Sequence, residues 1–262
     1  MTPATGPAAA RFEDNLFEFL LRQGDNALVL GHRTSEWCGV APALEEDIAL
    51  ANTALDLIGQ TQLWLGYAAE VEGQDRTAND LAFRRDAYDF RNLLMLEVPN
   101  EDFGRTLMRQ FFFDAFQVPW LSALQTSSDQ RVADIAAKSV KEALYHLERS
   151  AETVVALGDG TAESNARMQA ALDYLWPYAG EAFVDDAVDQ AMAEAAIAPP
   201  PSQMRADWGA TVHATLANAY LTRPESEFAH KGGRTGARHT EHLGHMLANM
   251  QVLQRSYPDA VW

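Results

Sequence analysis

The sequence has very little cysteine: Cys38 is the single one among 262 residues. A lone thiol cannot form an intramolecular disulfide, and it excludes metal sites that are built on several cysteines. Isolated cysteines behave in most proteins as small apolar side chains. We therefore expect Cys38 to be buried and not to act as a catalytic thiol.

Basic residues are also scarce, with 20 Lys and Arg against 37 Asp and Glu and a formal net charge of −17. Proteins that bind nucleic acid do so largely by neutralising phosphates with Lys and Arg. An anionic membrane surface repels such an acidic chain for the same reason. The charge balance thus predicts that neither nucleic acid nor a membrane is a partner.

Long apolar runs are missing, since no stretch of about 18 apolar residues occurs, which predicts that there is no transmembrane helix. The first residues, MTPATGPAAARFED, lack the basic and apolar regions of a signal peptide. We therefore expect a cytoplasmic protein.

The alternation of apolar and polar residues that is typical of β-strands is not found over any useful length, whereas helical spacing recurs throughout. The pattern predicts an all-α protein with one domain, residues 1–262. Within it we expect a disordered tail at 1–11, a core bundle at about 12–157 and accessory helices at about 160–256.

Apolar stripes define the helices of the predicted bundle. The second helix carries Leu44, Ile48, Ala51, Leu55, Ile58 and Gln62 on its stripe and ends at Gly73. The fourth carries Phe103, Leu107, Phe111, Asp114, Val118 and Leu121. The fifth carries Ile135, Ser139, Ala143, His146, Ser150 and Val154.

Prolines and glycines mark the expected ends of other elements. A third helix is predicted from about Asp80 to Leu96, before Pro99, and a sixth is predicted to end near Leu175, before Pro177. The segment AIAPPPSQ is interpreted as an exposed linker. The glycine-rich segment HKGGRTGARH is interpreted as a flexible connection to the last helix.

Four-helix cores often carry paired iron ions, and that chemistry requires a defined set of ligands. One Glu on each of two helices and a Glu-x-x-His on each of the other two supply the carboxylates and imidazoles. The Glu-x-x-His of this sequence, Glu227 to His230, lies beside the glycine-rich segment and not within a long helix.

Candidate ligands elsewhere in the predicted bundle amount to about half of such a site. They are Asp56 at the edge of the second helix's stripe, Asp114, and the pair Glu142 and His146. Gln23, Asn52 and Gly59 occupy other inward positions, where amides and glycine cannot offset two dications. We expect a buried polar network in which Asp114 pairs with His146 and Glu142 or Asn52 joins them. A mononuclear or weakened metal site is the alternative.

Three histidines near the carboxyl end, His239, His242 and His245, follow one another in steps of three. This spacing spreads them around a helix, so two neighbours with Glu241 could share an ion but three could not easily converge. We interpret them as surface or interface residues. The segment GGRTG does not fit a phosphate-binding loop, although Arg234 and Arg238 could contact an anion.

Several long stretches closely resemble one family. They include LLRQGDNALVLGHRTSEWCGVAPALEEDIALANTALDLIGQ, DLAFRRDAYDFRNLLMLEVPNEDFGRTLMRQFFFDAF and GGRTGARHTEHLGHMLANMQVLQR. From about Asn15 to the end, the sequence is similar to the structural, PaaC-type subunits of phenylacetyl-CoA 1,2-epoxidase, also called ring-1,2-phenylacetyl-CoA oxygenase. The resemblance implies an all-α fold with a ferritin-like four-helix-bundle core and additional C-terminal helices.

The resemblance also implies a function. Such complexes attack the aromatic ring of phenylacetyl-CoA with O2 to form the 1,2-epoxide in aerobic phenylacetate breakdown. The di-iron centre lies in a homologous catalytic subunit. The structural subunit scaffolds that catalytic subunit, and the complex contains other subunits as well. It implies no catalytic, cofactor-binding or metal-binding residue in this chain, and no cofactor of its own.

Two hypotheses follow. The first is a non-catalytic structural subunit, for which six tryptophans and 12 phenylalanines would supply a large apolar interface and self-association when the partner is absent. The alternative is a free-standing, metal-dependent ferritin-like oxygenase or ferroxidase that uses Asp114, Glu142 and His146.

Overall fold

The computed structural model describes residues 7–260, which form helices and turns and contain no strand. The α-helices are α1 (Pro7–Ser35), α2 (Leu44–Glu72), α3 (Ala78–Phe83), α4 (Phe103–Leu124), α5 (Gln130–Gly158), α6 (Ala162–Ala179), α7 (Ala187–Glu194), α8 (Arg205–Asn218) and α9 (Glu241–Ser256). Short 3₁₀ turns lie at Ala87–Asp89, Leu94–Leu96, Gly180–Phe183, Pro201–Met204 and Gly233–Thr235. The all-α prediction is confirmed for these residues.

Four long helices form an antiparallel bundle. Gly24 and Gly31 of α1 pack against Leu65 and Leu57 of α2, respectively, so the two helices run in opposite directions. Helices α2 and α5 are also antiparallel, because Gln60 contacts Glu142 and Glu70 contacts Arg131.

Helix α4 closes the bundle beside α1. Trp120 donates to Gln23 across 2.8 Å, and Trp37, just past the end of α1, donates to Thr106 across 2.9 Å. Helices α1 and α5 therefore lie on one diagonal and α2 and α4 on the other. Helices α2 and α4 are parallel, so the long connection between them runs along α1 from one end of the bundle to the other.

The outer helices pack on different parts of the molecule, and α9 lies against α3. Helices α6 and α8 both contact α4 and α5, and α7 contacts α1. Apolar residues from Leu16 to Leu247 join in one continuous core. None of the described helices combines the length and the apolar character that crossing a membrane requires.

Local sequence accounts for several helix ends. Asp102 caps α4 by accepting from the Arg105 amide, and Asp129 caps α5 by accepting from Arg131 and Val132. Gly73 ends α2 in the left-handed conformation, with φ of 65°. The amino end of α1 differs from the prediction, because Pro7–Arg11 are helical although 1–11 was expected to be a disordered tail; residues 1–6 lie outside the described part.

The predicted third helix is much shorter than expected. Helix α3 stops at Phe83, and 84–96 continues as turns. The reason is that side chains of α1 accept from this backbone: Asp25 accepts from the Arg91 amide and Asn26 from the Leu93 amide, at 2.8 Å each. The guanidinium of Arg85 also pairs with Asp25 in the interior. These partners replace a helix's own hydrogen bonds.

Two proline-based predictions were wrong. Helix α6 continues through Pro177 to Ala179, because Leu175 and Ala179 are both held in the core on either side of the proline. The segment predicted to be an exposed linker is packed, with Ile197, Ala198 and Pro201 buried. Burial of these apolar side chains outweighs the flexibility that their proline content suggested.

The glycine-rich segment is fastened and not free. Glu181, which is 2% exposed, accepts from the amides of Leu94, Gly232 and Gly233 at 2.8–2.9 Å. Arg234 pairs with Asp189 at 2.8 Å. The expectation of a flexible connection was therefore wrong, since one buried carboxylate ties Gly232 and Gly233 to the turn at Leu94.

The buried face of α2 is not the predicted one. Leu50, Leu57, Trp64 and Leu65 point into the core, whereas the predicted stripe faces outward, with Leu44 71%, Ile48 54%, Leu55 65% and Ile58 39% exposed. Because α2 is apolar on both sides, periodicity could not identify the side that packs. We call Leu44, Ile48, Leu55 and Ile58 the outer stripe of α2.

Cys38 is exposed and not buried as expected. It lies in the turn between α1 and α2, next to Gly39, whose φ is +83°. Trp37 of this turn packs on Phe103 of α4, whereas Cys38 faces solvent.

Candidate functional site: the polar centre of the bundle

Asp114 is an acidic residue of α4 in the bundle interior, and its side chain is 0% exposed. Its Oδ1 accepts from the Gln110 amide group and its Oδ2 from the Ser150 hydroxyl, each across 2.8 Å. Burial raises its pKa from 3.8 to about 6, although the nearby His146 and the two hydrogen bonds act in the opposite direction. Both carboxylate oxygens are thus engaged by neutral donors.

His146 pairs with a different residue from the one predicted. Its Nε2 lies 3.0 Å from Oδ2 of Asp56, which joins α5 to α2, while Asp114 bonds to Ser150. The imidazole is fully buried and the Asp56 carboxylate is 38% exposed. The expected hydrogen bond between Asp114 and His146 is not formed, because Ser150, one turn beyond His146 on α5, is the residue that reaches Asp114.

Glu142 belongs to a chain of amides. Its Oε2 accepts from Gln60 across 2.9 Å, and Oε1 of Gln60 accepts from Gln117 across 3.0 Å. This chain links α5, α2 and α4 through the middle of the bundle. The sequence pattern predicted Glu142 near the centre but gave no sign of Gln60 and Gln117, since only the structure shows which face of α2 turns inward.

Gln23, Asn52 and Gly59 were also predicted to point inward. Gln23 is half-buried and accepts from Trp120. Asn52 is exposed and a Cβ on Gly59 would meet open space, so neither faces the bundle centre. The prediction that Asn52 and Gly59 point inward was wrong, because α2 packs through a different face from the predicted one. We call the set Asp56, Gln60, Gln110, Asp114, Gln117, Glu142, His146 and Ser150 the polar centre.

The polar centre does not match the donors that a paired-iron site requires. Among the described residues, no three His, Cys, Asp or Glu side chains are placed to hold one metal ion. Buried polar atoms without a hydrogen-bond partner do occur there, namely Nδ1 of His146, Oε1 of Gln117 and, nearby, Oγ of Ser139. The polar centre contains three carboxylates, Asp56, Asp114 and Glu142, and a single histidine, whereas bundles of this kind supply four carboxylates and two histidines to paired iron ions.

The Glu-x-x-His of the sequence does not form a ligand pair. Glu227 lies 3.8 Å from Arg205, whereas the His230 ring lies against Tyr178 with 4.5 Å between centroids. Burial and the neighbouring Arg238 lower the pKa of His230. The two side chains are thus held by different partners.

The three histidines near the carboxyl end also diverge. His239 lies before α9, where its Nδ1 is 2.5 Å from Oε1 of the buried Glu97. His242 is partly exposed and His245 is exposed on α9 itself. Glu97 also accepts from the Thr240 amide across 2.6 Å, so it fixes the start of α9. No local sequence pattern indicated the roles of Glu97 and Glu181, because their partners lie far away along the chain.

Comparison with known proteins agrees with the resemblance. Residues 1–262 match the family model described as Phenylacetic acid catabolic protein. The chain is 46% identical over 249 residues to one of the subunits of the 1,2-phenylacetyl-CoA epoxidase of Escherichia coli (strain K12), an alignment that covers 95% of this chain and 100% of that protein. A match across the whole chain, with nearly half of the residues identical to such a relative, confirms that this protein belongs to the phenylacetic acid catabolic protein family.

Proposed function

We propose that the chain is a non-catalytic structural subunit of a phenylacetyl-CoA 1,2-epoxidase and that it scaffolds a homologous di-iron catalytic subunit. Its Escherichia coli relative is named as a subunit of such an epoxidase, and that name supports the existence of other subunits. In this proposal the ring-oxidising chemistry takes place in the partner, and this chain works in the cytoplasm without a cofactor of its own.

The polar centre is the observation that carries the proposal. Each carboxylate oxygen of Asp114 accepts a hydrogen bond, from Gln110 or Ser150, and Glu142 accepts one from Gln60. A catalytic iron would need these carboxylates free to coordinate it, whereas neighbouring side chains engage them in hydrogen bonds here. The interior is thus suited to holding four helices together.

The arrangement of the helices supports a ferritin-like core. Two helix pairs, α1 with α2 and α4 with α5, are joined by one long crossover between α2 and α4. Bundles with one long crossover are typical of the ferritin-like folds. A homologous catalytic subunit would share this framework and supply the ligands that are replaced here.

The outer stripe of α2 supports a docking role. Its four aliphatic side chains are 39–71% exposed on one helix face. Subunit interfaces are often more apolar than ordinary surface. Among the tryptophans that were expected to supply an interface, Trp64, Trp120 and Trp208 are buried in the core, Trp37 and Trp176 are half-buried, and Trp262 lies outside the described residues.

Metal content tests the proposal against the alternative of a free-standing oxygenase or ferroxidase. The chain is expressed alone with excess iron, and its iron is measured after removal of loosely bound metal. We expect far less than one iron per chain. About two irons per chain, the number that a di-iron carboxylate bundle holds, would favour the alternative.

Co-purification tests the scaffold role. The chain is expressed with the iron-bearing homologue, and epoxide formation from phenylacetyl-CoA is assayed for each protein alone and for the pair. We expect turnover by the complex and none by this chain alone. The variant Leu55→Glu should weaken the complex, whereas Val252→Glu, at a residue 53% exposed on α9, serves as the matched control. Epoxide formation by this chain alone would refute the proposal.

A further inference from the structure

A cavity of about 360 Å3 lies between α6, α8 and residues 223–229, on the outer side of the core. None of the polar-centre residues lines it. Its volume falls at the small end of the range of about 300–1,000 Å3 that is common for small-molecule sites. The cavity thus has room for a ligand of about one ring with a short substituent.

Aromatic rings form the inner wall of the cavity. Trp176 and Trp208 lie with centroids 5.9 Å apart, and Phe183 lies 5.3 Å from Trp208. Both indole N–H groups are already used, since Trp176 donates to the Ser226 carbonyl and Trp208 to the Phe112 carbonyl, each across 3.0 Å. The rings are therefore held in place and offer apolar surface to a ligand.

Two arginines accompany this wall. The guanidinium carbon of Arg223 lies 5.7 Å from the Trp176 ring centroid, and that of Arg205 lies 5.9 Å from the Phe183 centroid. Arg223 makes no ion pair with any described residue. Arg205 has a single long contact of 3.8 Å with Glu227, and both of these side chains are mostly exposed. Exposed ion pairs contribute little, so both cations are available to an incoming anion.

Small residues keep the cavity open. A Cβ built on Gly209 of α8 would meet nothing within 4 Å, although this residue lines the cavity. Glycine weakens a helix relative to alanine, so a glycine in α8 has a local cost. An alanine would favour the helix at this position, but its side chain would project toward the space that a ligand needs.

We propose that this cavity binds a small aromatic carboxylate. The ring lies against Trp176 and Trp208, and the carboxylate pairs with Arg223 and Arg205, whose planar guanidinium groups match it in geometry. Glu227 competes for Arg205 and therefore weakens binding. The inference does not depend on the proposed scaffold role.

The test uses the full chain with phenylacetate as the probe, followed by calorimetry and by tryptophan fluorescence. We expect saturable binding, with much weaker responses to acetate, which lacks the ring, and to 2-phenylethanol, which lacks the charge. Arg223→Ala should weaken binding roughly tenfold or more, as expected for loss of a charge-assisted hydrogen bond. Glu227→Gln should tighten it.

The variant Gly209→Leu fills the cavity and should abolish binding. Gly244→Leu on α9 is the matched control, since a Cβ there also meets nothing within 4 Å, and it should bind as the parent does. Thermal melts verify that both variants fold. The proposal is overturned by no saturable binding below about 10 mM, a millimolar limit that marks very weak association. Equal binding of 2-phenylethanol, tighter binding of adenosine diphosphate, or unchanged binding to Gly209→Leu would overturn it as well.

Discussion

The Nε2 atom of His146 lies 3.0 Å from Oδ2 of Asp56, so the buried imidazole of α5 pairs with a carboxylate of α2. This contact, the Gln60 to Glu142 bond and the Arg131 to Glu70 pair all join α2 to α5. Polar contacts thus set the alignment of these two helices, which have less close packing with each other than with their hairpin partners. A double-mutant cycle can measure what the His146 contact contributes.

For that cycle we expect a coupling free energy of about 0.5–3 kcal/mol between His146→Ala and Asp56→Ala, because the two side chains share one contact. Asp134 provides the control, since it lies about three turns away from His146 on α5 and should couple by less than about 0.5 kcal/mol. Unfolding in urea supplies the free energies. Additivity of the Asp56 and His146 changes would contradict the assigned pairing.

Asp114 should matter for stability, because it satisfies two buried donors. Asp114→Ala leaves Gln110 and Ser150 without their partner, and we expect a loss of about 1–3 kcal/mol in the free energy of unfolding. Asp134→Ala, at an exposed position of α5, should change it by less than about 0.5 kcal/mol. Equal effects of the two substitutions in urea unfolding would show that the buried network contributes little.

The raised pKa of Asp114 predicts a pH dependence with a definite sign. Its folded pKa of about 6 exceeds the ordinary 3.8, so between these values the native state binds more protons than the unfolded state. The contribution of Asp114 to the free energy of unfolding is therefore largest below about pH 4. It decreases by up to about 3 kcal/mol as the pH rises to 6.

The variant Asp114→Asn isolates this effect, because other titrating groups are common to both proteins. Measured from pH 4 to pH 7, the free energy of unfolding of the parent should fall relative to that of the variant, mostly before pH 6. A difference that stays constant over this range would mean that the Asp114 carboxylate titrates normally.

Two nearby leucines of α2, Leu55 and Leu57, should respond differently to replacement by alanine. Leu57 is 0% exposed, and Leu57→Ala should lower the free energy of unfolding by about 2–5 kcal/mol. Leu55 is 65% exposed, and Leu55→Ala should change it by less than about 0.5 kcal/mol while it reduces self-association of the free chain. Urea unfolding and sedimentation velocity check the two effects. Reversed stabilities would mean that α2 packs through its outer stripe.

Local patterns in the chain were enough to predict the helical class and the ends of α2, and long similar stretches were enough to predict the family. Leu44 and Gly73 bound α2 as expected, and the predicted stripe of α5 is buried from Ile135 to Val154. The helical features depend on interactions within three or four residues, which periodicity and capping residues report directly. The burial of Asp114 and His146 followed from the same local patterns.

Three features depended on the packing of distant segments: the buried face of α2, the carboxylate that His146 contacts and the point where the chain leaves α3. Helix α2 is apolar on two sides, so its inner face depends on the helices that meet it, through Gln60 and Thr53 as well as Leu57. The path of residues 91–93 is set by hydrogen bonds to Asp25 and Asn26 of α1. These two residues lie 66 positions before Arg91 and 67 positions before Leu93, respectively. Such contacts join residues far apart in sequence, and no local pattern encodes them.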